Sequence, residues 1–315
     1  MNRAVSSQGV QRVRISEGEA GQRIDNYLRR VLGGVPKSAL YRVMRKGQVR
    51  VNGRRVKPEY RLRAGDEVRI PPMRHREPSR PEPPPAVVAD FEQWVLREDE
   101  WLMIVDKPAG IAVHAGSGLS WGLIDVARAA RPHAPFLELA HRLDRETSGC
   151  LVLAKERRAL NGLHDLLRSH GGMDKRYLAL LAGRWQGGAR EVRLDLGLVA
   201  GGREKVGVVD EGREAVSRFR PLERFADATL MEVRIDTGRT HQIRVQATHL
   251  GHPVLGDERY GDHQLNREWK GCGLKRMFLH AWKLDFRLPL TGTRYAVEAP
   301  LPAALRQVLD GLEPV

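Results

Sequence analysis

Apolar residues recur at helical spacing at Ile24, Tyr27, Leu28, Val31 and Leu32, which predicts an amphipathic helix, and a second helix is expected to start at Pro36 and stop at Gly47. Beyond it the period shortens. Val49 and Val51 alternate with polar neighbours, Asn52-Gly53 has the composition of a two-residue turn, and Val56 falls on a returning strand. Further along, short apolar runs predict strands at 94–96, 102–105, 150–154, 177–181, 216–219, 229–235 and 278–286. Helices are expected at 123–130, 159–167, 240–250 and 302–309. Strands outnumber helices and do not alternate with them regularly, so a mixed sheet with helices on its faces fits better than a doubly wound parallel sheet.

Between the two halves the pattern gives way to proline. Seven of the 18 prolines lie between Pro71 and Pro85, where the absent N–H donors and fixed φ hold the chain extended. The expected organisation is a tail over 1–19, a small domain over 20–70, a linker over 71–90 and a large domain over 91–315. A chain of 315 residues with 41% apolar content is long enough for a large core plus a small module. No internal repeat of 20 to 50 residues is visible, which disfavours a solenoid or propeller. The two cysteines, Cys150 and Cys272, have neither disulfide-framework nor zinc-site spacing. No stretch approaches the roughly 18 continuous apolar residues of a spanning helix, and residues 1–13 lack the apolar core of a secretory signal. A cytoplasmic protein with no membrane partner is expected.

Charge narrows the partner. With 53 Lys plus Arg against 39 Asp plus Glu, the net charge is +14, which favours a polyanion such as nucleic acid. The small domain concentrates that charge: Lys37, Arg42, Arg45 and Lys46 on the second helix, and Arg50, Arg54, Arg55 and Lys57 around the turn. Two helices followed by this basic hairpin, over about 22–70, resemble the S4 RNA-binding domain. The alternative is a small basic module with a solvated face. The resemblance implies binding of structured RNA through backbone and shape, supplying affinity more than choice of base.

The run from His141 to Lys155 carries the chemistry. Asp144 lies between Arg142 and Arg145, and cations on both sides favour an ionised carboxylate, although an isolated cluster of this kind is usually a solvated ion pair. Here Thr147-Ser148-Gly149 forms a turn between the charged loop and an apolar strand. The string resembles the His-Arg-Leu-Asp-x-x-Thr-Ser-Gly signature of the large-subunit ribosomal pseudouridine synthases of the RluA superfamily. By that resemblance Asp144 is the nucleophile, Arg142 enters the space left by an extruded nucleotide, and His141 is a further substrate contact.

Other segments match the same family. Asp106-Lys107-Pro108-Ala109-Gly110 resembles its first motif, with Lys107 placed to meet a phosphate and Gly116-Ser117-Gly118 to let backbone approach RNA, although plain loops account for both. Gly201-Gly202-Arg203 lacks the context of a phosphate cradle. Tyr177, at the start of a predicted strand, is either a core aromatic or, by the resemblance, the ring that lies against the target base and assists a proton transfer. The stretch 237–246 reads as a turn and a helix capped by Thr240 and ended by Gly251. Ile243, Ala247 and Leu250 would face the core, with His241, Arg244 and Thr248 on an adjoining stripe. The resemblance makes Arg244 the partner of Asp144, places Gln246 where the family has His, and makes Leu279 an apolar contact near the base. His241, His249 and His252 do not have metal-ligand spacing or an acidic partner, so no metal is expected. Segments 34–42 and 114–120 carry a closer likeness to one member of the superfamily.

The implied fold is α+β, with a mixed, mainly antiparallel central sheet and flanking helices, preceded by the S4-like domain. The implied reaction is isomerisation of specific uridines in large-subunit (23S) ribosomal RNA, free or within an assembling ribosomal particle, by a monomer that uses no cofactor. Two other classes compete. A non-catalytic S4-type assembly factor would lack activity, and an Asp-dependent nucleobase glycosylase would lower the RNA mass, which isomerisation leaves unchanged.

Overall fold

The computed structural model describes residues 9–32, 35–73, 82–115, 120–169, 171–199 and 205–315. They fall into two units that divide after Pro81, each with its own apolar core. In the first unit, β1 (Gln11–Arg14), α1 (Ile24–Val31), α2 (Lys37–Arg45), β2 (Arg50–Val51) and β3 (Glu67–Ile70) follow in order. The strands form an antiparallel sheet ordered β1-β3-β2. Ile24, Tyr27, Leu28 and Leu32 are buried as their spacing predicts, whereas Val31 is exposed. Asn52 and Gly53 both take positive φ, as a two-residue turn requires, but no strand returns through Val56. The ladder stops at a single Val51–Arg54 bridge, Pro58 follows with no donor to give, and β2 pairs with β3 instead.

The second unit contains α3 (Pro85–Trp94), β4 (Val95–Glu98), β5 (Leu102–Lys107), α4 (Leu123–Ala130), β6 (Glu138–Leu139), β7 (Ser148–Ala154), α5 (Arg157–Arg168) and β8 (Met173–Ala182). It continues through β9 (Arg190–Leu198), β10 (Val206–Val208), β11 (Arg213–Arg224), β12 (Ala228–Ile235), α6 (Gln242–His249), α7 (His263–Gly271), β13 (Leu279–Arg287), β14 (Arg294–Glu298) and α8 (Ala303–Asp310). The fold class is the α+β one expected. Ordered structure starts earlier than the proline run suggests, because Pro85 at the first position of α3 has the φ a helix needs and no donor to waste there. Phe91 anchors that helix in the same apolar cluster as Val126 and Ala127 of α4. Trp94 closes the helix rather than opening a strand.

Eleven strands form one mixed sheet, ordered β10-β9-β11-β12-β8-β13-β7-β5-β4, with β14 on β13 and β6 on β7. Alternate residues of β5 serve opposite faces: Met103 and Val105 join a cluster with α3, α4 and α6, while Leu102 and Ile104 join one with α5. Burial on both faces explains why β5 and β7 read as unbroken apolar runs. Every pairing among the described residues is antiparallel except β7 with β13, which join through Ser148↔His280 and Gly149↔Ala281. Two parallel neighbours begin at the same end of the sheet, so the loop before β7 and the residues before β13 lie side by side. Gly149 makes this approach possible at φ +107°, since a Cβ there would stand 2.2 Å from the Ala281 carbonyl oxygen. No helix among the described residues is long and apolar enough to cross a membrane.

Candidate active site

The loop from Ala140 to Thr147 is fastened before it carries anything. The β6–β7 ladder continues through Ala140, whose N–H donates to the Val152 carbonyl at 2.9 Å. The chain then turns away, and His141 Nε2 takes the place of a backbone acceptor, receiving the Val152 N–H at 3.2 Å. Burial lowers the His141 pKa to about 4, so the ring is neutral. His141 therefore ties the loop to β7 and does not line the cleft, contrary to its expected contact with substrate.

Lys107 also differs from expectation. Its ammonium is fully buried, donating to the carbonyls of Pro108 (2.8 Å), Ile111 (2.8 Å) and Arg145 (3.0 Å). These three acceptors use all three of its donors, leaving none for a phosphate. Burial pulls its pKa down to about 7, with Arg276 pushing the same way and Glu146, Asp144 and Asp106 opposing. Lys107 thus staples the turn after β5 to the loop that holds Asp144. Gly110 N–H to the Arg145 carbonyl and Arg145 Nε to the Gly110 carbonyl, both 2.9 Å, complete the join. At the other end of the loop, His280 Nε2 lies 3.1 Å from the Ala299 carbonyl and so must donate to it. Nδ1 is left to accept from Ser148 Oγ at 2.9 Å, and that oxygen accepts from Arg276 at 2.9 Å.

Asp144 is thereby held in a cleft with about 530 Å³ of empty space, walled by Tyr177 from β8, Leu279 from β13, Ile235, and residues 238–244. Arg244, projecting from α6, donates from Nη1 to Asp144 Oδ2 at 3.0 Å. Its remaining edge is gripped by Asp257, with Nε to Oδ2 at 2.7 Å and Nη2 to Oδ1 at 2.8 Å. Burial opposes the charge on Arg244, but the two carboxylates outweigh it and raise its pKa. Burial likewise works against Asp257, which Arg244 and two backbone N–H groups hold below the usual carboxylate range. His241 Nε2 stands 3.8 Å from the other Asp144 oxygen. Burial raises the Tyr177 pKa, helped by the Asp144 charge, so the phenol stays protonated. No protein group among the described residues bonds its hydroxyl. Arg142 is exposed on the same rim, and its guanidinium has no partner among the described residues. The cleft shares Arg142, Leu143, Asp144, His241 and Arg244 with a wider groove that also carries Arg145, Arg259, Lys270, Lys275 and Arg276.

Asp144, Arg142, Tyr177, Arg244 and Leu279 thus come together, while Lys107 and His141 stand behind the loop. Gln246 is fully buried and knits α6 to the sheet, its Oε1 accepting from Ser217 Oγ at 2.6 Å and its Nε2 donating to the Val192 and Ala215 carbonyls. The α6 helix starts one residue later than a Thr240 cap suggests: His241 precedes it in a left-handed conformation, and Thr237 Oγ1 and Arg239 N–H donate to Gln242 Oε1. Asp257 and Tyr260 were not singled out from the sequence. The signal was chemical, since a buried guanidinium needs more acceptors than one carboxylate offers. Gly116-Ser117-Gly118 and Gly201-Gly202-Arg203 lie outside the described residues.

In the first unit, Lys37, Arg42, Arg45, Lys46, Arg54 and Arg55 are all exposed. Arg54 and Arg55 line a groove with Asn52, Lys57 and Tyr60, whereas the four cations at and beyond α2 lie outside its lining. Arg55 crosses over Gly47 to bond the Arg45 carbonyl.

Residues 101–249 match the family model for RNA pseudouridylate synthase, and residues 22–68 match that for the S4 domain. Ribosomal large subunit pseudouridine synthase C of Salmonella typhimurium (strain LT2) and of Escherichia coli (strain K12) are each 50% identical over 96% of this chain and 97% of their own. The Pasteurella multocida (strain Pm70) protein of the same name is 46% identical over 98% of this chain and 95% of its own. Human RNA pseudouridylate synthase domain containing 4 superposes with a TM-score of 0.60 over 72% of this chain and 97% of its own, at 23% identity, a likeness of fold. The chain belongs to the RNA pseudouridine synthases, in the family of ribosomal large subunit pseudouridine synthase C, with an S4 domain ahead of its catalytic domain.

Proposed function

We propose that this protein isomerises specific uridines to pseudouridine in large-subunit ribosomal RNA, with Asp144 as the nucleophile. The observation that carries the reading is the Asp144 carboxylate paired with Arg244 at 3.0 Å in a cleft walled by Tyr177 and Leu279. A uridine must leave its stack to reach that carboxylate, at a cost of a few kcal/mol. Arg142 on the rim supplies a planar cation to take the vacated place, stacking and donating hydrogen bonds there. Leu279 and the Tyr177 ring give the flipped uracil apolar surfaces to lie against.

The reaction breaks the N1 glycosidic bond, turns the uracil in place and joins C5 to the same sugar carbon. N1 gains a proton and C5 loses one, so the RNA keeps its mass and nothing is oxidised, reduced or hydrolysed. Asp144 can act by bonding to C1′, by adding at uracil C6, or by removing a proton to give a glycal. All three routes use the ionised carboxylate that Arg244 accompanies. The Tyr177 hydroxyl, with no protein partner among the described residues, assists the proton transfer. We take the exposed cations of the S4 domain as the anchor on structured RNA, and the protein as a cytoplasmic monomer working without metal or cofactor.

Asp144→Asn keeps the shape of the side chain and removes the charge. Purified variant protein is expected to bind RNA normally and to form no pseudouridine; product formation by the variant would overturn the assignment. Mapping pseudouridines in large-subunit RNA from cells with and without the protein identifies the target positions. Sites missing from the depleted cells support the reading, and an unchanged map contradicts it. A fall in RNA mass on incubation would mark a glycosylase instead.

A further inference from the structure

The turn 256–261 sends two arms to the nucleophile. Its start is tight: Gly256 has φ +77°, and a Cβ there would stand 2.3 Å from the Arg276 carbonyl oxygen. It is braced by Asn266, which accepts from Gly256 N–H and donates to the Asp257 carbonyl, both at 2.9 Å, and by Thr248 Oγ1 donating to the Tyr260 carbonyl at 3.0 Å. The first arm is Asp257. Its Oδ1 accepts from the N–H groups of Arg259 and Tyr260 at 2.9 and 3.1 Å, which fixes the carboxylate plane. That plane grips Nε and Nη2 of Arg244 and leaves Nη1 directed at Asp144 Oδ2.

The second arm is Tyr260. Its ring lies under the Arg244 guanidinium, 5.0 Å from centroid to Cζ. Its hydroxyl accepts the Val206 N–H at 3.2 Å and lies 2.8 Å from His241 Nδ1. Burial lowers the His241 pKa, so the ring carries one proton, and with the hydroxyl donating to Nδ1 that proton sits on Nε2. That N–H faces Asp144 Oδ1 at 3.8 Å, whereas the opposite tautomer would turn a lone pair towards a carboxylate. A carboxylate held by one oxygen can still rotate about its last bond. One with a donor facing each oxygen presents a single plane to the substrate.

We infer that the 256–261 turn aims the nucleophile, with Asp257 setting Arg244 and Tyr260 setting His241, so that each oxygen of Asp144 is addressed from one side. Both are positioning residues, and the inference rests on Asp144 being the nucleophile. Misaim should cost rate rather than affinity, because attack depends on alignment within a fraction of an ångström.

The test uses full-length protein, single-turnover kinetics at saturating enzyme, and a separate measurement of RNA Kd. Tyr260→Phe keeps the ring under Arg244 and removes only the hydroxyl. It is expected to slow the chemical step about tenfold with Kd unchanged, and to add no further loss in a His241→Gln background, as residues acting through one another do. Asp257→Asn is expected to slow the same step about a hundredfold, again at constant Kd. A Tyr260→Phe rate within twofold of the parent, an equal loss with and without His241, or a weakening of Kd that accounts for the loss would each overturn the inference. Should Asp257→Asn fail to fold, the Tyr260 and His241 comparison decides alone. Product formation by Asp144→Asn would instead sink the nucleophile assignment, so the two failures are told apart.

Discussion

Lys107 and Arg244 carry charge into the interior by opposite means, one surrounded by carbonyl dipoles and the other by carboxylates. Removing the Lys107 head leaves the Pro108 and Ile111 carbonyls without their donor, leaves that of Arg145 with Gly110 N–H alone, and weakens the join between the turn after β5 and the Asp144 loop. Lys107→Met is therefore expected to lose about 2–4 kcal/mol of stability in a denaturant titration, a cost of unsatisfied buried acceptors. A loss below about 0.5 kcal/mol would contradict the staple. The Lys-Pro motif was visible in the sequence, but its purpose was not, because one acceptor belongs to Arg145, 38 positions away. Asp144 and Arg244, 100 positions apart, were matched through family resemblance. Helical spacing placed Arg244 on a usable stripe and went no further. Asp257 stood in a run that hydropathy marks only as loop.

At the level of elements, strands buried on both faces, such as β5 and β7, were read from sequence because an apolar run is the direct mark of that environment. The overlooked β9 does alternate, with Val192, Leu194, Leu196 and Leu198 set between polar or small residues, but it buries only Val192 and Leu196, and β10 and β14 are too short, at three and five residues, to show a period. Helix α7 buries only Trp269, and its start is set by Asp262 accepting from Gln264 and Leu265 N–H, a cap with no apolar stripe behind it. Strand β5 also contains a misfit. Burial raises the Asp106 pKa to about 6 against the opposing pull of Arg276 and Lys107. A folded-state value above the unfolded 3.8 means the native form binds the extra proton. The stabilisation is complete below pH 3.8 and is lost as pH rises through about 6. Asp106→Asn is expected to raise stability at pH 7.5 by about 1 kcal/mol, less than full linkage because the group is partly solvated, and so to raise Tm by about 2–4 °C. Melts at pH 4 should show the two proteins nearly equal, and a gain that persists there would refute the cause given.

For the molecule as a whole, a net charge of +14 makes RNA binding a matter of displaced counterions. With about six phosphate contacts, affinity should fall roughly a thousandfold between about 50 and 200 mM salt. Removing residues 1–81 should flatten that slope and weaken binding to structured RNA, while a short, accessible substrate still reacts. Equal slopes for the two chains would show that the first unit neutralises no phosphate. The large sheet raises a separate matter. Its sole parallel junction among the described residues, between β7 and β13, joins Ser148 to His280, 132 positions apart, and the cleft draws walls from both sides of it. During synthesis Asp144 and Arg244 leave the ribosome well before β13 does. A growing chain that has not yet released β13 therefore holds Asp144, Tyr177 and Arg244 without the Leu279 wall that completes their cleft.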